Sequence, residues 1–192
     1  ALTNQNNTSG DNMYTTAVGY QAGLSVTTGT ANTLLGAFAG DSLTTGDSNT
    51  AVGYAALDAD TLGDRAIAIG FGALTAQNFT RSTDNYNIAI GYNAGASVTT
   101  GVQNTLVGGL AGDALTDADY NVAIGVSALS AETLGHRSVA VGTYALIAQN
   151  NTSSTNVYNT AVGHAAGTSV TTGLQNTFIG GLAGDCLLYT SD

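Results

Sequence analysis

The sequence predicts an all-β fold, a parallel β-solenoid or β-roll, and three observations support this. A glycine that ends a short apolar run recurs with spacings of 17, 17, 17, 21, 17, 17, 17, 21 and 17 residues. The 26 glycines, with many Thr, Asn and Val residues, disfavour helix. Hydrophobic residues make up 43% of the chain and recur at fixed positions of the repeat, unlike those of a disordered chain. Units this short suit single coils stacked about 4.8 Å apart.

The repeat is nested, with ten units of about 17 residues grouped in fours. Three short units and one long unit add up to 72 residues, so QNTLVGGLAGD at 103–113 returns as QNTFIGGLAGD at 175–185. The four extra residues of the long unit lie within 74–87 and again within 146–159, and residues 2–15 match both. We therefore predict one solenoid domain over residues 1–185, cut from a longer array.

Each position of the unit, numbered from the asparagine of NTAVG, has its own requirement. Position 5 is the recurring glycine, which suits a corner with positive φ or a close backbone approach. Position 4 is always aliphatic and position 8 is always alanine, which predicts an aliphatic ladder inside a narrow coil. Position 1 is asparagine in seven units, and we expect these side chains to hydrogen-bond along the stack.

Alternation of side chains along a strand then places position 3 outside if position 4 lies inside. Position 3 carries no polar residue, and an exposed apolar strip normally marks an interface. We therefore expect several chains to associate, intertwined or side by side and most simply as a homotrimer, with a monomer as the alternative. The expected interface residues are Ala17, Leu34, Ala51, Ala68, Ala89, Leu106, Ala123, Ala140, Ala161 and Phe178.

The strings NTAVGYQAG, NTAVGYAAL, NIAIGYNAG, NVAIGVSAL and SVAVGTYAL carry a family resemblance. The chain resembles the β-roll head repeats of trimeric autotransporter adhesins, and is similar to NTAVGYQA-type arrays of phage tail fibres. The resemblance covers residues 1–185. It implies a parallel, usually trimeric β-roll in an extended fibre that serves adhesion or fibre building, not catalysis. A phage parent and a cellular parent both stay open.

The charge balance limits the classes of partner. The chain has 3 basic residues against 13 acidic ones and a formal net charge of −10. Nucleic-acid binding and docking on anionic membranes both need basic residues, so neither is expected. We find no apolar run long enough to span a membrane and no signal peptide. This composition is typical of a solvated extracellular fibre, on a virion or a cell surface.

The last seven residues, CLLYTSD at 186–192, leave the repeat. They resemble the translation of a sequencing-library adaptor, which would indicate an assembled environmental sequence; a C-terminal cap is the alternative. Cys186 is the only cysteine, so no internal disulfide can form, and it is a poor functional candidate.

Residues with catalytic or metal-binding chemistry are sparse, and we predict no enzyme, metal or cofactor. His136 and His164 fall in different units at different phases, which makes a Ser-His-Asp arrangement or a zinc site a matter of coincidence. Asp58, Asp60 and Asp64 share a loop in which paired-carboxylate chemistry is conceivable. The recurring AGD aspartates are interpreted as turn residues, with a calcium role as the alternative: Asp41, Asp113 and Asp185.

The long units are the predicted sites of variation and binding. All Asn-x-Ser/Thr glycosylation sequons lie in them, at Asn6, Asn7, Asn78, Asn150 and Asn151. Chance occurrence in Asn/Thr-rich loops is the alternative. The same loops could contact a cell-surface glycan or receptor through Asn78, Phe79, Arg81 and Tyr86.

The predicted function is therefore a structural and adhesive segment of an extracellular fibre. A self-assembling extracellular filament is the alternative, because solenoid ends favour stacking. A minor alternative is ice binding through the position-13 threonines, a ladder broken by Asn78 and Asn150.

Overall fold

The computed structural model describes residues 1–5 and 12–185 and shows a parallel β-solenoid. Fourteen short strands occur in these ranges, and no helix does. The strands are β1 (Thr16–Val18), β2 (Thr33–Leu35), β3 (Thr50–Val52), β4 (Gly63–Asp64), β5 (Ile67–Ile69), β6 (Thr83–Asp84), β7 (Ile88–Ile90), β8 (Thr105–Val107), β9 (Val122–Ile124), β10 (Gly135–His136), β11 (Val139–Val141), β12 (Thr155–Asn156), β13 (Thr160–Val162) and β14 (Thr177–Ile179).

One long parallel sheet connects all coils. Its ten strands follow the order β1-β2-β3-β5-β7-β8-β9-β11-β13-β14, and each strand pairs with the same three unit positions of the next coil, as Thr33 with Thr50. The register therefore steps by 17 residues, or by 21 across a long unit, as between Ile67 and Ile88. The predicted solenoid, its ten coils and its 72-residue super-repeat are confirmed.

The strands β4 and β6, and likewise β10 and β12, form two small parallel sheets beside the long units. Each pairs two residues of the coil that precedes a long unit with two residues of the long unit, at an offset of 20 residues. The offset is 17 before this pairing and 21 after it, so most of the extra residues lie just before the short strand.

The predicted direction of the side chains was wrong by one residue. Position 3 faces inward: Leu34, Ala51 and Leu106 have no exposed surface, Phe178 is 7% exposed and Ala17 is partly buried. The ten residues expected at an oligomer interface are therefore core residues, namely Ala17, Leu34, Ala51, Ala68, Ala89, Leu106, Ala123, Ala140, Ala161 and Phe178.

The physical reason is the buried asparagine at position 1. Its amide hydrogen-bonds within the coil wall, so the alternation of the strand turns position 3 inward and positions 2 and 4 outward. Alanine dominates position 3 because the coil is narrow. The outward aliphatic residues include Val18 at 56% exposed and Ile90 at 38% exposed.

The asparagine ladder itself is confirmed. Asn49 Nδ2 donates to Gly63 O at 2.8 Å, and Asn49 Oδ1 accepts the backbone N–H of Ala66, in the next coil, at 2.9 Å. The same two contacts recur at Asn32 and Asn104. Each amide closes its own coil and fixes the next one.

The invariant glycine forms the predicted corner. Gly70 has φ +135°, and a Cβ placed on it would lie 2.3 Å from the carbonyl oxygen of Gly91 in the next coil. Both of the expected reasons for glycine, positive φ and close backbone approach, therefore apply here.

Volume is exchanged between positions 3 and 9 to fill the interior. Where position 3 is leucine, as at Leu106, position 9 is glycine, as at Gly112, and a Cβ there would lie 2.8 Å from Leu106 Cδ2. Where position 3 is Ala51, position 9 is the buried Leu57. The core thus keeps its packing along the stack.

Candidate functional site: the extended loops and the outward face

The two extended loops rest on buried polar side chains that sequence reasoning did not identify. Position 12 is buried in the nine coils in which the structure describes it, and it is Val or Leu there except around the long units, where it is Asp60, Gln77, Glu132 and Gln149. Asp60 lies in the coil before the first loop and Glu132 in the coil before the second. A polar residue replacing an apolar one at a fixed repeat position was the available signal.

A directional hydrogen-bond chain supports the first loop. Asn87 Nδ2 donates to Gln77 Oε1 at 2.9 Å, and Gln77 Nε2 donates to Asp60 Oδ2 at 2.7 Å. Asp60 Oδ1 accepts the backbone N–H groups of Gly63 at 3.0 Å and Phe79 at 3.2 Å. The carboxylate terminates the chain because it accepts without donating.

The second loop is supported in the same way by Glu132. Its Oε2 accepts Gln149 Nε2 at 2.8 Å and Asn151 Nδ2 at 2.9 Å. Its Oε1 accepts the backbone N–H of Gly135 at 2.8 Å and that of Asn151 at 2.9 Å. All four oxygens of these two carboxylates thus accept hydrogen bonds from the protein itself and are not free to contact a substrate.

Burial raises the pKa of several carboxyl groups. Desolvation raises the pKa of Asp60 above its ordinary value, although its hydrogen bonds oppose the shift. Desolvation also raises the pKa of Asp41, Asp58 and Asp113, and the negative charge of Asp41 adds to the shift at Asp58.

The structure separates the four residues expected to form a ligand-binding loop. Phe79 is 5% exposed and packs beneath the loop against Gly63, so its prediction as a contact residue was wrong; an apolar ring fills the space that glycine leaves. Asn78 is exposed and accepts a hydrogen bond from Thr61 Oγ1 at 3.0 Å. Arg81 and Tyr86 are both exposed, Arg81 before and Tyr86 after the short strand β6.

The predicted glycosylation sequons differ in their exposure. Asn78 is exposed and Asn150 is half-buried. Asn151 is 7% exposed and its amide donates to Glu132, so glycosylation there is contradicted: the amide is neither accessible nor free. Asn6 and Asn7 lie outside the described residues.

Two clefts flank the loops. One, of about 340 Å³, follows the first loop and is lined by Phe79, Thr80, Arg81, Thr83, Thr100, Val102 and Asp117. The other, of about 180 Å³, precedes the second loop and is lined by Asp119, Tyr120, His136, Arg137, Ser154 and Asn156.

The second cleft unexpectedly brings a serine, a histidine and an aspartate together. His136 Nε2 lies 2.7 Å from Ser154 Oγ, and His136 Nδ1 lies 3.7 Å from Asp119 Oδ2. However, Nδ1 accepts the backbone N–H of Asp119 at 2.9 Å, so the proton of a neutral ring is on Nε2 and points at the serine. A general base needs the opposite tautomer, so this arrangement does not activate the serine. His164 lies elsewhere, against the Tyr144 ring at 6.1 Å.

The position-13 threonines are engaged in the solenoid itself. Thr27 Oγ1 donates to Thr44 O at 3.1 Å, and Thr44 Oγ1 donates to Thr61 O at 3.0 Å. Hydroxyl groups used in this way are poorly placed to order water, which weakens the ice-binding alternative.

The outward face of the long sheet is uniform along the solenoid. Its positions 2 and 4 are Thr, Val, Ile or Leu in every coil from β1 to β14, and none of these residues is charged. Exposure at position 4 ranges from partial to 72% at Ile179. The apolar strip expected from the sequence therefore exists, on the other side of the strand.

An aromatic ladder borders this face in the first half of the chain. Tyr20, Phe38, Tyr54, Phe71 and Tyr92 form a row with ring centres 5.1 to 5.6 Å apart. The ladder was not predicted, although aromatic residues one or two positions after the invariant glycine were its signal.

Comparisons with family models, curated proteins and solved structures find no significant match. Across residues 1–5 and 12–185, no helix is long and apolar enough to cross a membrane. In the same ranges, no group of three or more His, Cys, Asp or Glu side chains could hold a metal ion. The extended loops and the outward face are the candidate functional surfaces of the chain.

Proposed function

We propose that this chain is a structural and adhesive segment of an extracellular fibre, on a viral tail or a microbial surface, and that it is not an enzyme. The solenoid acts as a stiff spacer, and the extended loops, which recur every fourth coil, contact cell-surface glycans or a receptor. Four coils at strand spacing separate successive loops by about 19 Å. This repetition suits multivalent attachment.

The observation that carries the proposal is the uncharged outward face of the ten-stranded sheet. The aliphatic side chains of position 4 are exposed or partly exposed along the whole sheet, and a continuous apolar strip of this kind normally marks an interface. Chains that pack these faces together around a common axis would bury positions 2 and 4 and leave the loops outside. We propose three such chains, as the resemblance to trimeric β-rolls implies.

The charge distribution supports the same arrangement. The formal net charge of the chain is −10, whereas the outward positions 2 and 4 of the long sheet carry no charged residue. Desolvation of this face on association therefore carries no cost for buried charge.

A charge introduced at position 4 tests the proposal. Ile90→Glu places a carboxylate on the exposed strip, so we expect the assembly to dissociate while the fold persists. The matched control, Thr99→Glu, places the same charge on an exposed position away from the strip. Analytical ultracentrifugation reports the mass and circular dichroism the fold. An assembly that Ile90→Glu leaves intact, or that Thr99→Glu breaks equally, would contradict association through this face.

A further inference from the structure

The surface in front of each extended loop occurs twice, 72 residues apart, on nearly the same backbone. Arg65 and Arg137 occupy equivalent places, with φ angles of 63° and 65°. Their N–H groups donate to the carbonyl oxygens of Asp47 at 3.0 Å and Asp119 at 3.1 Å. The two copies of this surface can therefore be compared directly within one chain.

The two copies differ in charge. In the first copy the Arg65 guanidinium pairs with the carboxylate of Asp84, and Asp64 lies beside Asp84 in strand register. In the second copy His136 and Asn156 replace these two aspartates, in the same register. The first arginine therefore faces a surplus of carboxylates, and the second does not.

The side chain of Arg137 is held in place without being neutralised. Its Nε donates to Asn156 Oδ1 at 3.0 Å, and its guanidinium carbon lies 4.6 Å from the centre of the Tyr120 ring. Within the part of the chain that the structure describes, its terminal amino groups have no hydrogen-bond partner. A guanidinium whose two terminal amino groups are free is suited to bidentate binding of a carboxylate.

The cleft beside Arg137 offers further groups for hydroxyls. Ser154 Oγ accepts a hydrogen bond from the N–H of His136 Nε2, which leaves the serine hydroxyl proton free to donate. The amide nitrogen of Asn156 is a donor, and Asp119 Oδ2 is an acceptor whose charge disfavours a bare anion. The volume of about 180 Å³ equals that of about six liquid waters, which is enough to admit one sugar ring.

We propose that this cleft binds one sugar residue that carries a carboxylate, of the uronic-acid type. Arg137 binds the carboxylate, Tyr120 supplies an apolar ring face, and Asp119, Ser154 and Asn156 bind hydroxyls. The first copy does not bind this ligand, because Asp84 already occupies Arg65. This inference rests on the proposed role of the loops as glycan-contacting sites, and it names the ligand class and the copy responsible.

Ligand-observed NMR with glucuronate, glucose and acetate tests the inference on the whole chain. We expect glucuronate to bind with a Kd of about 1 mM, as befits one charged contact and a few hydrogen bonds. Glucose lacks the carboxylate and acetate lacks the hydroxyls, so each should bind at least about tenfold more weakly. Acetate binding as tightly as glucuronate would show a simple anion site and would overturn the sugar assignment.

Three variants locate the site. Arg137→Gln removes the guanidinium, and Asn156→Asp recreates the pairing of the first copy; both should weaken glucuronate binding about tenfold or more. Arg65→Gln is the matched control and should leave the Kd unchanged. These side chains are exposed, so circular dichroism should show an intact fold. No glucuronate binding, or equal losses at Arg65 and Arg137, would overturn the inference. The self-association of the outward face would be unaffected by either result and keeps its own test.

Discussion

At the scale of single residues, the direction of hydrogen bonds explains the choice of side chain. Asn87, Gln77 and Asp60 form a chain in which each amide donates to the next group and the carboxylate only accepts. An amide at the end of this chain would present donors to donors. Asp60 and its counterpart Glu132 are therefore acidic because the chain needs a terminus, not because the site performs chemistry.

Asp60→Asn tests this explanation. The new amide nitrogen would oppose Gln77 Nε2 in a buried site, so we expect the free energy of unfolding to fall by about 1–3 kcal/mol. Asp117→Asn is the control, since this aspartate is exposed and its carboxylate accepts the Thr100 hydroxyl, at 2.6 Å, on the surface. Urea denaturation measures both. Unchanged stability of Asp60→Asn would show that the direction of the chain is immaterial.

The raised carboxyl pKa values predict a pH dependence of the opposite sign to that of ion-paired aspartates. Burial raises the pKa of Asp41 and Asp58 above the ordinary 3.8, so the folded chain holds these protons more tightly than the unfolded chain. Stability from this pair is full below 3.8 and falls as the pH rises through the folded pKa values.

The double variant Asp41→Asn/Asp58→Asn removes this dependence. Relative to the variant, the unmodified chain should gain unfolding free energy as the pH falls from about 7 towards 3.8, the value of an unperturbed aspartate. Urea titrations of both proteins across this range give the difference. A difference that is constant, or that grows as the pH rises, would show that burial does not raise these pKa values.

At the scale of elements, the sequence was sufficient for the strand positions, the register and the coil number. The glycine spacing specified these because every coil repeats the same backbone. The inward face was assigned wrongly because positions 3 and 4 are both apolar, and hydrophobicity alone cannot choose between them. Asn49 and its equivalents indicate which position faces inward. The side chain of a hydrogen-bonded asparagine at position 1 lies on the same face of the strand as position 3.

The loop interior was predicted less well than the strands. Phe79 was assigned to the surface because loops are usually exposed, but the ring fills the space over Gly63. The pairing of Arg65 with Asp84 and the meeting of His136 with Ser154 depend on coil-to-coil contacts. A single unit of the sequence does not contain that information.

The exchange of volume between coil positions predicts coupled mutations. A Cβ on Gly112 would lie 2.8 Å from Leu106 Cδ2 and 2.8 Å from Leu115 Cδ1. Gly112→Ala should therefore destabilise the chain, and by less once Leu106→Ala has removed one of the two overlaps. Leu106→Ala alone should cost about 2–5 kcal/mol by opening a cavity.

A double-mutant cycle on thermal unfolding measures this coupling, which we expect to be at least about 0.5 kcal/mol. Gly109→Ala serves as the control, because a Cβ there has no neighbour within 4 Å. Strictly additive effects of Leu106→Ala and Gly112→Ala would contradict the proposed exchange of volume.

At the scale of the whole molecule, the proposed association depends on an acidic solenoid with one uncharged apolar face. Chains with a net charge of −10 repel one another at distance, and salt screens that repulsion. The apolar contact itself does not weaken in salt. Self-association should therefore strengthen between about 0.05 and 0.5 M salt, unlike an assembly held by ion pairs.

The mass in solution, measured by light scattering over a wide range of protein concentrations, tests the central claim most directly. A constant mass near three times the 19.1 kDa of one chain is the predicted result. A mass that rises without limit would favour a filament. A single chain that stays monomeric at every concentration and salt level would contradict the claim that the outward face is an interface.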